Sequence, residues 1–126
     1  MTSKKIKYRS GLEERFAEKA PMFDFEPYKV PYVVERKYIP DFVYKTEHGD
    51  MLIECKGYFR VGDTQKYKAI KKSLVFDELI FVLSDPRKKL RKGAKMNMGE
   101  WCEKEGIRWF TIDTMDKLFD YIGIEE

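Results

Sequence analysis

The sequence predicts an α/β domain in which a mixed central β-sheet is flanked by helices. Three observations carry this. Stretches with strand periodicity alternate along the chain with stretches of helical periodicity. Residues 78–83, ELIFVL, form an unbroken apolar run of strand length, the pattern of a strand buried on both faces. The 126 residues, 43% hydrophobic and 37% charged, suffice for one core beneath a wet surface.

The elements follow in order. Residues 1–9 are polar and basic and read as a flexible arm ahead of a single domain, 10–126. Ser10 opens a helix that runs to about Ala20, since Ser10 and Glu13 have the spacing of a capping box. Leu12, Phe16 and Ala20 give that helix an apolar stripe, and Pro21 closes it. Phe23 to Val34 is rich in β-formers, but Pro27 and Pro31 interrupt it, so it reads as an edge strand or an extended connector. Ile39–Lys45 and Asp50–Lys56 are strands around the polar turn Thr46-Glu47-His48-Gly49. Thr64 to about Phe76 is helical, with Tyr67, Ile70 and Leu74 turned to the sheet. After the strand at 78–83 comes a basic loop, 84–98. Gly99–Glu105 is a short helix stopped by Gly106. Ile107–Ile112 is the last strand, and Asp113 or Thr114 caps a terminal helix ending near Ile122. The expected order is α, β, β, β, α, β, α, β, α.

Composition narrows the chemistry. His48 is the single histidine, which disfavours a histidine-rich zinc site or a Ser-His-Asp triad. Cys55 and Cys102 lack metal-ligand spacing and read as reduced core thiols of a cytoplasmic protein. No apolar run approaches the roughly 18 residues of a membrane span. The net charge of +3 is small, but its distribution is uneven. Lys4, Lys5, Lys7 and Arg9 cluster at the start, and Arg87, Lys88, Lys89 and Lys92 lie in a stretch without acids. Both groups are candidates for phosphate contacts, against the plainer reading of a solvated lysine-rich surface. Tyr8, Tyr58 and Phe59 are candidates for stacking on opened bases, although packing explains an aromatic side chain more economically.

One charged cluster needs explaining. With the turn at 46–49, antiparallel pairing sets Lys45 against Asp50, Val43 against Leu52 and Asp41 against Glu54. Alternation puts Lys56 on the same face as Glu54. Two opposed carboxylates favour a cation, and hard divalent ions such as Mg²⁺ take oxygen ligands and phosphate oxygens. Asp41, Glu54 and Lys56 form a P-D…E-x-K string with twelve residues between the acids, the chemistry of metal-assisted phosphodiester hydrolysis. The competing reading is an exposed hairpin whose Glu54–Lys56 pair contributes about 0–1 kcal/mol. Glu13 has two competing roles, a capping-box partner of Ser10 or a further ligand. On the residues alone, capping is the stronger of the two.

Several blocks together resemble the phage endonuclease I proteins, nucleases of the PD-(D/E)xK superfamily. They are Arg9-Ser10-Gly11-Leu12-Glu13, Lys29-Val30-Pro31-Tyr32-Val33, Pro40-Asp41-Phe42, Glu54-Cys55-Lys56-Gly57 and Gly99 to Ile107, with Lys89-Leu90-Arg91-Lys92-Gly93 matching in kind. The resemblance implies a restriction-endonuclease-like core and an enzyme that resolves four-way (Holliday) junctions and other branched DNA. It implies Glu13, Asp41, Glu54 and Lys56 as catalytic residues. It also implies one or two Mg²⁺ ions per site, with Mn²⁺ able to substitute, held by Glu13, Asp41, Glu54 and the Cys55 carbonyl. No organic cofactor or membrane partner is implied. The resemblance further implies a homodimer that exchanges strands through a bridge, here residues 27–39. The stretch 33–39 is shorter than the family's usual bridge, which leaves the exchange itself open. Two other readings stay open: a nicking or repair nuclease acting on mismatched or general DNA, and a non-catalytic DNA-binding module of the same fold.

Overall fold

The computed structural model describes residues 5–124. The chain divides between Arg36 and Lys37 into two compact units.

The first unit is built on α1, Gly11–Lys19. Ser10 caps it by accepting from the Glu13 N–H at 3.2 Å, and the Glu13 carboxylate accepts from the Arg9 N–H at 2.8 Å. The capping geometry expected from S-x-x-E is therefore present, displaced by one residue on the return bond. Past Pro21 the chain folds back so that Phe23 stacks on Phe16 at 5.6 Å, and Tyr8 meets Phe25 edge-on at 4.7 Å. No residue of α1 is buried. The strand entertained for Phe23–Val34 does not form, and no residue between Ala20 and Pro40 lies in a ladder. Pro27 and Pro31 have no N–H to give a ladder, and Val33 is 97% exposed, without a neighbouring strand to cover it. The other alternative, an extended connector, describes this stretch, and the order loses one strand.

The second unit holds the sheet. Strand β1, Phe42–Thr46, pairs antiparallel with β2, Gly49–Lys56, in the expected register: Lys45 opposite Asp50 and Val43 opposite Leu52. The turn must have glycine at position 49. Its φ is +140°, and a Cβ there would lie 2.1 Å from the Phe76 carbonyl oxygen. Helix α2, Asp63–Ser73, leads to β3, Glu78–Leu83, which runs parallel to β2. Helix α3, Met98–Glu105, leads to β4, Arg108–Thr111, parallel to β3. The strands lie in the order β1-β2-β3-β4. A 3₁₀ turn, Ile112–Thr114, then delivers α4, Met115–Ile122. The fold is thus α/β, a four-stranded mixed sheet flanked by helices.

Alternation along the strands sorts side chains between two layers. Leu52, Leu79, Phe81 and Leu83 face Tyr67 of α2 and Met98, Trp101 and Cys102 of α3. Ile80 and Val82, with Met51 and Ile53, face Leu118 of α4. Burial on both faces is why β3 reads as a continuous apolar run. Helix α2 ends three residues earlier than expected, because Leu74 turns extended and Val75 and Phe76 lie exposed. Lys71, in its last turn, donates to the Glu105 carbonyl at the end of α3. This suits a cation at a helix carboxyl end. Of the two free thiols, Cys102 is buried as expected, whereas Cys55 is exposed.

Candidate active site

The carboxyl end of β2 carries Glu54, Cys55 and Lys56. Pleating directs Glu54 and Lys56 to the layer of α2 and α3, so Glu54 is 6% exposed. A buried carboxylate is tolerated only with partners, and both oxygens have them. The Tyr67 hydroxyl donates to Oε1 at 2.8 Å and the Tyr38 hydroxyl to Oε2 at 2.6 Å. Burial first, and then the adjoining Glu54 charge, raise both phenols well above their ordinary range. They stay protonated as donors.

Lys56 is held from two sides. Its Nζ lies 3.5 Å from Glu54 Oε1 and 3.5 Å from Asp63 Oδ2, and 5.0 Å from the centre of the Tyr67 ring. Asp63 is itself buried, opens α2, and accepts from the Arg60 N–H at 2.8 Å. A carboxylate at that position is favoured by the amino end of the helix.

Asp41 stands one residue before β1, next to the Phe42–Ile53 pair, and so flanks Glu54 in the ladder. Its Oδ2 accepts from the Cys55 N–H at 2.9 Å. Asp41 is exposed, in contrast to Glu54. The two acids therefore converge on the single dipeptide Glu54-Cys55, one rigidly held and one open to solvent. Partial desolvation first, and then the Asp41 and Glu54 charges, raise the Cys55 thiol above its ordinary range.

Among the described residues, no three His, Cys, Asp or Glu side chains form a complete cation cage. The Asp41 and Glu54 carboxylates nevertheless offer oxygen donors of the kind that a hard divalent cation such as Mg²⁺ takes. That ion keeps several waters, takes one or two carboxylates, and fills its remaining positions from substrate phosphate. The donor set is all oxygen, as a hard cation requires.

A family profile described as Phage endonuclease I matches residues 1–126. The chain belongs to the phage endonuclease I family. It is similar to Endodeoxyribonuclease 1 of Enterobacteria phage T3, 34% identical over 94% of this chain and 78% of that protein. It is likewise similar to Endonuclease I of Escherichia phage T7, 34% identical over 94% of this chain and 79% of that protein.

Within this family member, the other residues nominated from sequence fall in three places. Glu13 lies in the first unit, where its carboxylate serves the backbone at the start of α1. In the same unit Lys5 and Lys7 are exposed, and Arg9 is ion-paired with Glu26. Lys4 lies outside the described residues. The remaining basic residues belong to the 84–98 loop, which is folded back on itself. Leu90 N–H donates to the Met96 carbonyl at 3.1 Å and Met98 N–H to the Lys88 carbonyl at 2.8 Å. Lys89 Nζ donates to the Lys95 carbonyl at 2.7 Å, and Arg87 is paired with Asp85 at 3.2 Å. Lys88 and Lys92 are exposed.

Three residues of the cluster escape the sequence reading: Tyr38, Tyr67 and Asp63. Tyr67 reads as core from its helical spacing, and its hydroxyl is where a signal lay, since a buried phenol needs a partner. Asp63 carried a weaker one, an acid opening a helix after Gly62. Tyr38 carried none beyond being aromatic.

Proposed function

We propose that this chain is a divalent-metal-dependent DNA endonuclease whose preferred substrate is branched DNA, four-way junctions above all. The observation that carries the chemistry is the convergence of Asp41 and Glu54 on one dipeptide with Lys56 beside them. The DNA substrate is supported by membership of a family whose relatives in phages T3 and T7 are named endodeoxyribonuclease and endonuclease.

Asp41, Glu54 and the Cys55 carbonyl would hold Mg²⁺, or Mn²⁺ in its place, with Glu13 as a further ligand, at one or two ions per site. The chemistry such a cation supplies when bound is Lewis-acid polarisation of the phosphodiester. The protein supplies the rest. Tyr38 and Tyr67 fix the plane of the Glu54 carboxylate, as residues that orient ligands do. Asp63 and Glu54 hold Lys56 so that its ammonium can donate to the attacking water or to a phosphate oxygen. Lys5, Lys7, Arg9 and the cations of 87–92, with Lys4, contact the DNA backbone. The proposal extends to a homodimer bridged through residues 27–39, with residues 1–9 as a basic arm on the 10–126 nuclease domain, acting in the host cytoplasm. No helix among the described residues is long and apolar enough to cross a membrane.

The substrate claim is tested by offering purified protein, in Mg²⁺, a labelled four-way junction and a linear duplex of matched sequence. Faster cutting of the junction is expected, and equal cutting of both removes the claim. Neutralising Arg87, Lys88, Lys89 and Lys92 is expected to reduce the slope of log affinity against log salt by roughly 0.9 for each phosphate deprived of its cation. An unchanged slope in a salt titration takes that loop out of the interface.

A further inference from the structure

The structure separates the three aromatic residues that sequence left as stacking candidates. Phe59 belongs to the core layer, its ring 5.1 Å from Trp101 and 6.1 Å from Phe81. Tyr8 packs edge-on against Phe25. Tyr58 does neither of these. It is 51% exposed, and what faces its ring is charge: the Lys88 ammonium at 5.5 Å and the Arg60 guanidinium at 5.8 Å from the centroid.

Its position is also fixed. The Lys56 carbonyl accepts from the Ser84 N–H at 3.1 Å, which closes the β2–β3 ladder, and Tyr58 follows two residues later. Phe59, packed into the core, anchors the backbone at the next residue. On the other side, the loop carrying Lys88 to Gly93 is pinned by its Leu90–Met96 and Met98–Lys88 hydrogen bonds. Between Tyr58 and this loop lies a groove of about 410 Å³, within the ~300–1,000 Å³ of clefts that take small ligands. Its lining is aromatic and basic, with Lys88, Lys89, Arg91 and Lys92 and no acid.

An aromatic face beside a row of cations is the combination that binds single-stranded nucleic acid: bases stack on the ring and the backbone follows the charge. A continuous duplex covers every base face by stacking, whereas a branch point interrupts the stack and an opened strand frees it. We propose that this groove is a subsite for one unstacked nucleotide at the branch of the DNA substrate. Its base lies on Tyr58, and its flanking phosphates are met by Arg60, Lys88 and Lys92. The proposal rests on the endonuclease reading and deepens it, since it puts a sensor of interrupted stacking two residues beyond Lys56.

The test measures binding by the full-length protein in chelator, where nothing is cut. A four-way junction carries a fluorescent purine analogue beside the branch, and a matched duplex carries the same analogue. Tyr58→Ala is expected to weaken junction binding about 5- to 150-fold, to abolish quenching of the analogue, and to leave duplex affinity and the melting temperature of the protein unchanged. Tyr58→Phe, which keeps the ring, is expected to behave as the wild type. Full junction affinity and full quenching in Tyr58→Ala overturn the subsite, as does failure of the wild type to quench. Cutting by the wild type in Mg²⁺, assayed separately, judges the endonuclease reading: a wild type that quenches without cutting loses that reading alone.

Discussion

Glu54→Gln is expected to abolish metal-dependent cutting while sparing DNA binding. Losing a group that merely orients a metal ligand costs about 10–100-fold, so losing a charged ligand itself should cost more, on the order of 10³-fold. The fold should survive. Glutamine has the same shape, the Tyr38 and Tyr67 hydroxyls that bond the two carboxylate oxygens can each accept as well as donate, and Lys56 keeps Asp63 as its partner. DNA affinity should survive too, because the phosphate contacts proposed above lie elsewhere. Single-turnover rates beside junction affinities decide this. A variant that cuts within tenfold of wild type removes Glu54 from the catalytic set, and one that loses binding equally assigns it to substrate contact instead.

Phe81→Ala is expected to destabilise the protein by about 3–5 kcal/mol. Phe81 is fully buried at the centre of β3, with Tyr67 at 5.0 Å, Phe59 at 6.1 Å and Trp101 at 6.2 Å. It is also the residue paired with Glu54 across the β2–β3 ladder. A cavity there removes support from the ring whose hydroxyl holds Glu54, so residual activity should fall along with stability. Thermal melting is expected to shift down by more than about 6 °C. A shift of a degree or two means the aromatic cluster relaxes into the space and does not hold the site.

Much of this arrangement was legible beforehand because it depends on short-range rules. The turn at Thr46–Gly49 set the hairpin register, and the register brings Asp41 toward Glu54. The unbroken apolar run of 78–83 declared a central strand. What was not legible depends on partners distant in sequence. A segment such as 23–34 has the composition of a strand, but a strand needs a neighbour, and among the described residues none pairs with it. Tyr38 and Tyr67 look like ordinary aromatics until the fold brings their hydroxyls to the two oxygens of one buried carboxylate. Asp63 looks like a solvated helix start until Lys56 is found against it. Cys55 is expected in the core and lies exposed, outside the cluster in which Met51 and Ile53 of the same strand pack against Leu118.

If the carboxylates of Asp41 and Glu54 act through a divalent cation on branched DNA, cutting must depend on that cation. The most direct measurement is the rate at which purified protein cuts a labelled four-way junction as Mg²⁺ is titrated from a chelated zero. No cutting in chelator and a rate that rises to saturation with Mg²⁺ is the predicted result. Equal cutting in chelator, or none at any concentration of Mg²⁺ or Mn²⁺, contradicts it.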